Sequence, residues 1–533
     1  MLKRLFLVFT LVSSIDLCFG QDSISKKLNE LFRFYEEQQL FNGSVLVAKK
    51  GEILLHKGFG FQNKGLQLKN EPGSIFRVYS ITKTFTASVI LKLVEESKLS
   101  LTDKLSKFYP DFVNGDSISI EQLLTHTSGI YDYTRGNNMP DQTEKSFVEF
   151  EKTKPLDFPP GSNWSYSNSG YYFLGYIIQK VTGLSYEEAV SKYILEPLQM
   201  KQTGFGFKNL VSQQKAIGYS LFTEKTQKLS IIYDPPGPFA AGALHSTVDD
   251  LYKYYQGLKE HKILRRETLD KAYTPFKNNY GYGWILVSQF GKQTVGHSGG
   301  GAGFTSNFVQ IPEDDICIIL LSNCETDLNG ITGEILKRFY NQPYHIPTVI
   351  PVKKEILARY RGTYEVNENL VLYVGIENNK LAVQPKGQGK NTLFAEAENK
   401  FYSKEINGYV YFKSNQAKQI DTLVFEQNGQ AIKAKRIYPS WGIIGSSTPY
   451  GWEGKDITLT KTAKKDVWTI KNLSLADGEI KFRFNGDWTI NLGETDKGSL
   501  TQDGANIKIK KGVYTIVLDL TKPENPTYKI IRQ

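Results

Sequence analysis

The chain has 533 residues, 40% of them hydrophobic and 23% charged. That apolar content supports packed cores and excludes wholesale disorder, and at about 150 residues per domain the length allows three or four domains. The formal net charge of +10 comes from 65 Lys+Arg against 55 Asp+Glu; the lysines are scattered among acids with no long basic run, which argues against a nucleic-acid partner.

Residues 1–20 read as a secretory signal, with Lys3 and Arg4 at the start, an apolar stretch from Leu5 to Ser14, and the small Gly20 before Gln21. The apolar run is too short to span a bilayer. The expectation is an exported protein, periplasmic, outer-membrane-associated or secreted. Cys317 and Cys324 would remain, within ICIILLSNC. On an extended strand, at about 3.3 Å per residue, they lie beyond disulfide reach.

From residue 21 to 342, helix-like and strand-like patterns alternate. GSVLVAKKGEILLHKGFG (Gly43 to Gly60) predicts a hairpin around Lys49-Lys50-Gly51. A helix is predicted from Ser80 to about Glu96, with Phe85, Val89, Leu91, Leu93 and Val94 giving it an apolar face. Further helices are predicted at Ile120–Leu124, Tyr172–Val181 and Tyr186–Leu195. TSNFVQIPEDDICIILLSN reads as two strands about a Pro312–Asp315 turn, followed by a helix near Gly330–Tyr340. The proline-rich segment 343–354 predicts a linker. Residues 355–438 read as short strands, with Asn428-Gly429 as a hairpin signal. In residues 440–533, EIKFRFNGDW and YTIVLDL alternate apolar and polar positions, which predicts a β-sandwich.

The chemistry rests on three patterns. Ser80-Ile81-Thr82-Lys83 places a lysine one helical turn from a serine, on the same face. Serine is a poor nucleophile until a base takes its proton, and a helix N-terminus disfavours an ammonium, which would help the lysine act as a neutral base. The S-x-x-K pattern alone is weak: it recurs at Ser23–Lys26 and Ser212–Lys215, and at Ser80 the same letters suit an N-cap serine with a surface lysine. The second pattern is Tyr166-Ser167-Asn168, inside the Gly/Ser/Asn-rich PPGSNWSYSNSGY. A phenol beside a cationic lysine can be lowered in pKa and relay protons, and an asparagine can orient a substrate. The third, GHSGGGAGFTSNF, carries His297 and then Gly299 and Gly300, glycines that let backbone N–H groups approach a substrate. The six histidines show no metal-ligand spacing, so no metal or cofactor is expected.

In this order, the three patterns resemble the serine β-lactamase and penicillin-binding superfamily, and the tyrosine in the middle one resembles its class C branch, which includes D-aminopeptidases and esterases. LLTHTSGI, AAGALHSTVDDLYKYY and YGYGW add to the likeness, which covers about Glu30 to Tyr340. The resemblance implies a multidomain chain. An α/β catalytic domain, β-lactamase-like with an antiparallel sheet flanked by helices plus a helical subdomain, would precede two all-β domains. It implies Ser80 as the acylated nucleophile, Lys83 as its basic partner, Tyr166 as proton relay and Asn168 as substrate orienter. The backbone N–H groups of Ser80 and Gly300 would form the oxyanion hole, with His297 and Gly299 on the same substrate-binding strand. His297 stands where β-lactamases carry the lysine of K-[ST]-G, which weakens the case for β-lactams and leaves esters and peptides. His126 in LLTHTSGI reads as structural.

The strand-rich region after the linker resembles the small barrel-like module that follows many such catalytic domains. Through WGIIGSSTPYGWEGKD and FRFNGDWTINLG, the last region resembles sandwich modules of starch-utilisation outer-membrane proteins. There Trp441, Trp452 and Trp488 either stack on sugars or pack cores. The function expected is an exported serine hydrolase acting through an acyl-enzyme on an ester or on an amide such as a D-amino-acid peptide. The alternatives are a true β-lactamase, or a non-catalytic binder of glycan or cell wall.

Overall fold

A computed structural model of the chain describes residues 24–136, 143–222, 227–230, 238–367, 370–403, 408–427, 430–438, 440–464, 466–495, 498–522 and 524–533. The expected signal segment, Ser23, and the hairpin residues Asn428 and Gly429 lie outside the described residues. The chain divides into two compact units, Met1–Ile346 and Pro347–Gln533.

The first unit opens with helix α1 (24–37) and the hairpin β1 (Gly43–Lys49) and β2 (Glu52–Phe59). Five of its helices follow: α2 (Thr82–Glu95), α3 (Ile120–Leu124), α4 (Glu144–Lys152), α5 (Asn168–Thr182) and α6 (Val248–Lys259). Then come strands β3 (Ile285–Gln289), β4 (Lys292–Gly301), β5 (Phe304–Ile311) and β6 (Ile316–Ser322), and helix α7 (Leu328–Phe339). The six strands form one antiparallel sheet in the order β2-β1-β6-β5-β4-β3. β6 ties the end of the unit to its beginning, with Gly43 opposite Ser322 and Lys49 opposite Ile316. Every residue of β6 is buried, as a central strand covered on both faces requires.

Helix α2 is the spine of the unit, and its amphipathic reading needs correcting. Eleven of its fourteen residues are buried. Around Phe85 and Val89 it carries small hydroxyls that are satisfied internally: Thr84 donates to Ile81 O at 2.8 Å, Thr86 to Ala240 O at 2.6 Å, and Ser88 bonds the Tyr254 hydroxyl at 2.8 Å. A helix can be buried all round when its polar groups are paired in this way. α5 begins four residues earlier than its apolar pattern suggested, because Ser167 accepts from Gly170 N and caps it. α3 starts in a capping box between Ser119 and Gln122. The predicted single helix Tyr186–Leu195 is an α-turn, Tyr186–Val190, that runs into a π-helical turn, Ser191–Leu195.

The second unit begins with a helix, Lys354–Tyr360, where the linker was expected to give way to strands. Its apolar side enters the core of an eight-stranded closed barrel that runs from Gly362–Asn367 to Gln430–Ile437. There Tyr360 stacks on Phe412 at 4.4 Å. Beyond the barrel, two antiparallel sheets share one apolar core made of Trp441, Trp468, Ile480, Phe482 and Ile516 among others. Trp441 belongs to that core, which is the packing alternative of the two readings offered for it, and is closed to ligands. Trp452 and Trp488 lie 6.1 Å apart, and Trp488 is exposed.

Among the described residues no helix is long and apolar enough to cross a membrane, and no group of three His, Cys, Asp or Glu could hold a metal ion. Cys317 and Cys324 are both free and buried.

Candidate active site

A short strand, Phe76–Arg77, leads into a tight turn at Tyr79–Ile81 and then into α2. Ser80 sits on that turn, half-buried, and makes no capping bond to the helix. Lys83, in the first turn of α2, is fully buried. The pair of cap serine and surface lysine that the same letters allow is therefore not what forms.

Lys83 Nζ has three polar neighbours: Asn168 Oδ1 at 2.8 Å, Ala241 O at 2.8 Å and Ser80 Oγ at 3.2 Å. The first two can only accept. They take two N–H bonds and leave the third direction, toward Ser80, for a lone pair when the amine is neutral. Burial lowers the Lys83 pKa from 10.5 to about 7, and the Asp132 carboxylate opposes that fall. A neutral amine at physiological pH is thus accessible, and it is aimed at the serine hydroxyl.

Asn168, at the start of α5, is fixed from its other end, its Nδ2 donating to Asp132 Oδ2 at 3.2 Å. Asp132 is buried and also accepts from Thr134 N at 3.1 Å. Nothing in the letters marked Asp132: it lies 36 residues from Asn168, and folding alone joins them. Behind it, the buried Glu151 accepts from Ser169 Oγ at 2.7 Å, and burial raises its pKa to about 8, against the pull of that bond.

Tyr166 places its ring 4.8 Å from Lys83 Nζ. The expected lowering of its phenol does not occur. Burial pushes the pKa above its ordinary 10, with the hydrogen bond to Ser80 pulling the other way. The phenol is therefore held protonated, a donor rather than a phenolate base. His126 packs on Tyr166 at 4.4 Å between ring centres, and its Nδ1 accepts from Ser167 N at 3.1 Å. Burial drives its pKa well below 6.5. This histidine braces the loop bearing Tyr166 and Asn168, as its structural reading requires.

His297 lies on β4, 6.3 Å from Tyr166 between ring centres. Its Nδ1 bonds Ser298 O at 2.6 Å and its Nε2 bonds the Tyr280 hydroxyl at 3.0 Å. A carbonyl can only accept, so Nδ1 carries the proton and Nε2 accepts from Tyr280. Burial and the nearby Lys83 lower the His297 pKa to about 3. The ring is neutral, and both its nitrogens are engaged within the protein. On the expected substrate-binding strand, the imidazole is thus occupied from both sides. Tyr280, the first residue of YGYGW, was not singled out from the letters.

Close approach demands one of the two predicted glycines of β4 and not the other. A Cβ on Gly299 would come within 2.1 Å of Val78 O and 2.9 Å of Ser80 N, whereas one on Gly300 would meet nothing within 4 Å. Pairing of β4 with β3 ends at Gly296, so the stretch from His297 to Gly301 lies beyond that neighbour. Gly296-His297-Ser298-Gly299-Gly300 also spells G-x-S-x-G, but Ser298 lies in mid-strand with no strand-to-helix turn. Its side chain faces away from Ser80 into a cavity of about 290 Å³. Ser212 and Lys215 stand apart from the cluster: Lys215 donates to Lys208 O at 2.6 Å, and Ser212 accepts from Gln214 N.

The structure therefore gathers Ser80, Lys83, Tyr166 and Asn168 around one amine, with β4 alongside. The Beta-lactamase family model matches residues 28–335. The chain belongs to that family of β-lactamase-like serine hydrolases. Penicillin-binding protein 4* of Bacillus subtilis (strain 168) is 28% identical over 447 residues, which cover 77% of this chain and 99% of the relative. The octameric penicillin-binding protein homologue from Pyrococcus abyssi aligns with a TM-score of 0.56 at 28% identity, over 76% of this chain and 99% of that one. D-amino acid amidase from Ochrobactrum anthropi SV3, solved with L-phenylalanine, gives a TM-score of 0.52 over 61% of this chain and 99% of its own. At 24% identity that likeness speaks for the fold alone.

Proposed function

We propose that this protein is an exported serine hydrolase that works through an acyl-enzyme at Ser80, on a carboxylic ester or on an amide such as a D-amino-acid peptide. The observation that carries the reading is the buried Lys83 amine, tied by two acceptors and directed at Ser80 Oγ. In this reading Ser80 Oγ attacks the acyl carbon while its proton passes to Lys83 Nζ. The carbonyl oxygen becomes an oxyanion received by the N–H groups of Ser80 and Gly300, donors of a kind typically worth about 10²–10³ in rate each. Tyr166, a protonated phenol, hands a proton to the leaving alcohol or amine as the C–O or C–N bond breaks. Water then attacks the acyl-serine, loses its proton to the same Lys83–Tyr166 pair, and Ser80 leaves with a proton restored.

β-Lactams rank behind esters and peptides, because position 297 offers a neutral, internally bonded imidazole where a fixed cation would suit a substrate carboxylate. Export rests on residues 1–20 alone. A non-catalytic scaffold would have no need to keep Lys83 buried beside Ser80. A contact with surface glycan is a second, separate expectation, favoured only by the Trp452–Trp488 pair, with the Arg483 guanidinium 4.9 Å over the Trp488 ring.

The test is labelling by a fluorophosphonate, with mass-spectrometric mapping of the adduct. The expected adduct is on Ser80, absent from Ser80→Ala and unaffected in Ser212→Ala. An adduct that persists in Ser80→Ala overturns the reading.

A further inference from the structure

Tyr79, the residue immediately before Ser80, has φ +45°, a left-handed backbone that side chains other than glycine adopt at a cost. It is held there by contacts on three sides. Its ring lies against β4 so closely that a Cβ on Gly301 would come within 2.4 Å of the ring carbons. Its hydroxyl donates to Ala302 O at 3.3 Å, in the turn between β4 and β5. The Arg77 guanidinium covers the ring at 4.9 Å, and Arg77 is itself buried, its Nε without a hydrogen-bond partner among the described residues. Strain of this kind persists only where its surroundings over-determine it, and it gathers at functional sites.

The position gives the strain a use. Val78, Tyr79 and Ser80 press on Gly299 and Gly301, which point the same way from β4, and Gly300 lies between them. The two backbone donors of the proposed oxyanion hole, on Ser80 and Gly300, belong to these two segments, and Tyr79 touches both. We propose that Tyr79 is a positioning residue that clamps the nucleophile turn to the β4–β5 hairpin and so fixes the spacing of the two oxyanion donors. The inference rests on the hydrolase reading above. Glycine at position 79 would accept the backbone angle without strain, but it would release the clamp.

The experiment measures kcat and KM on a short-chain p-nitrophenyl ester, inhibition by phenylboronic acid, and Tm, for wild type, Tyr79→Gly, Tyr79→Phe, Gly301→Ala and the double variant Tyr79→Gly/Gly301→Ala. A boronic acid forms a tetrahedral adduct whose oxygen uses the same two donors. The expected result is a fall in kcat of about 10–100-fold for Tyr79→Gly, less than the loss of a whole donor. KM should stay within about twofold, and phenylboronic acid should weaken in proportion to kcat/KM. Tyr79→Phe keeps ring and backbone, and should lose no more than a few-fold. Gly301→Ala should slow the wild type and have a much smaller effect when Tyr79 is already glycine. A kcat for Tyr79→Gly within twofold of wild type, or a loss that merely follows Tm with the phenylboronic acid affinity unchanged, overturns the inference. Wild-type protein that takes no fluorophosphonate on Ser80 removes the hydrolase reading and this inference together; labelled wild type with an unaltered Tyr79→Gly removes the inference alone.

Discussion

Ser80–Lys83 and Ser212–Lys215 share the same spacing, and the structure gives them opposite surroundings. Lys83 is fully buried in the first turn of a central helix, with its amine shared among Asn168, Ala241 and Ser80. Lys215, itself outside any helix, reaches instead to the carbonyls of Lys208 and Leu210, and Ser212 serves a local turn. Burial turns the first lysine from a cation into an accessible base, with a pKa of about 7. Four letters thus specify chemistry only when the fold withdraws water from the amine and supplies acceptors for its protons.

The sharpest way to break this contrast is to remove the amines in turn. Lys83→Met should lower kcat/KM on an activated ester by about 10³-fold, within the range that general-base catalysis supplies. Lys215→Met should leave the same assay within twofold. Equal losses in both variants would erase the distinction. Next in size is position 297. His297→Lys would introduce a cation beside Lys83, and the expectation is about a tenfold gain in kcat/KM on a carboxylate-bearing amide or β-lactam relative to a neutral ester. No relative gain on nitrocefin would show that residue 297 does not set the preference. The smallest effect should come from the residue that opposes the burial of Lys83. Asp132 raises the Lys83 pKa, so Asp132→Asn should lower it further and move the acidic limb of the pH–rate profile to lower pH. A limb that moves up, or stays in place, would contradict the assigned sign.

Much of this arrangement could be read from the letters, and the failures have physical reasons. The hairpin at 43–60 and the two strands about Pro312–Asp315 form because β-branched alternation and turn residues act locally. Ser80, Lys83, Tyr166 and Asn168 stood out because their patterns, taken in order, resemble those of the serine β-lactamase superfamily; spacing alone did not single them out. The burial of Lys83 was not legible: exposure is the ordinary state of lysine, and what covers it comes from residues as distant as Ala241. Asp132 and Tyr280 escaped notice for the same reason, since each meets its partner only after folding. The lowered phenol expected for Tyr166 assumed a cationic lysine beside it, whereas burial acts on both groups and favours the neutral form of each. In the second unit, helix Lys354–Tyr360 was hidden behind the prolines of 343–354, although Leu357 and Tyr360 lie on the side that enters the barrel core.

The most direct measurement is the pH dependence of the rate at which a fluorophosphonate labels Ser80. If a neutral Lys83 takes the serine proton, the rate rises with pH, reaches half its maximum near pH 7 and levels off above about pH 8. A rate that is flat between pH 6 and 9, or that climbs only toward the ordinary lysine value of 10.5, would contradict the account.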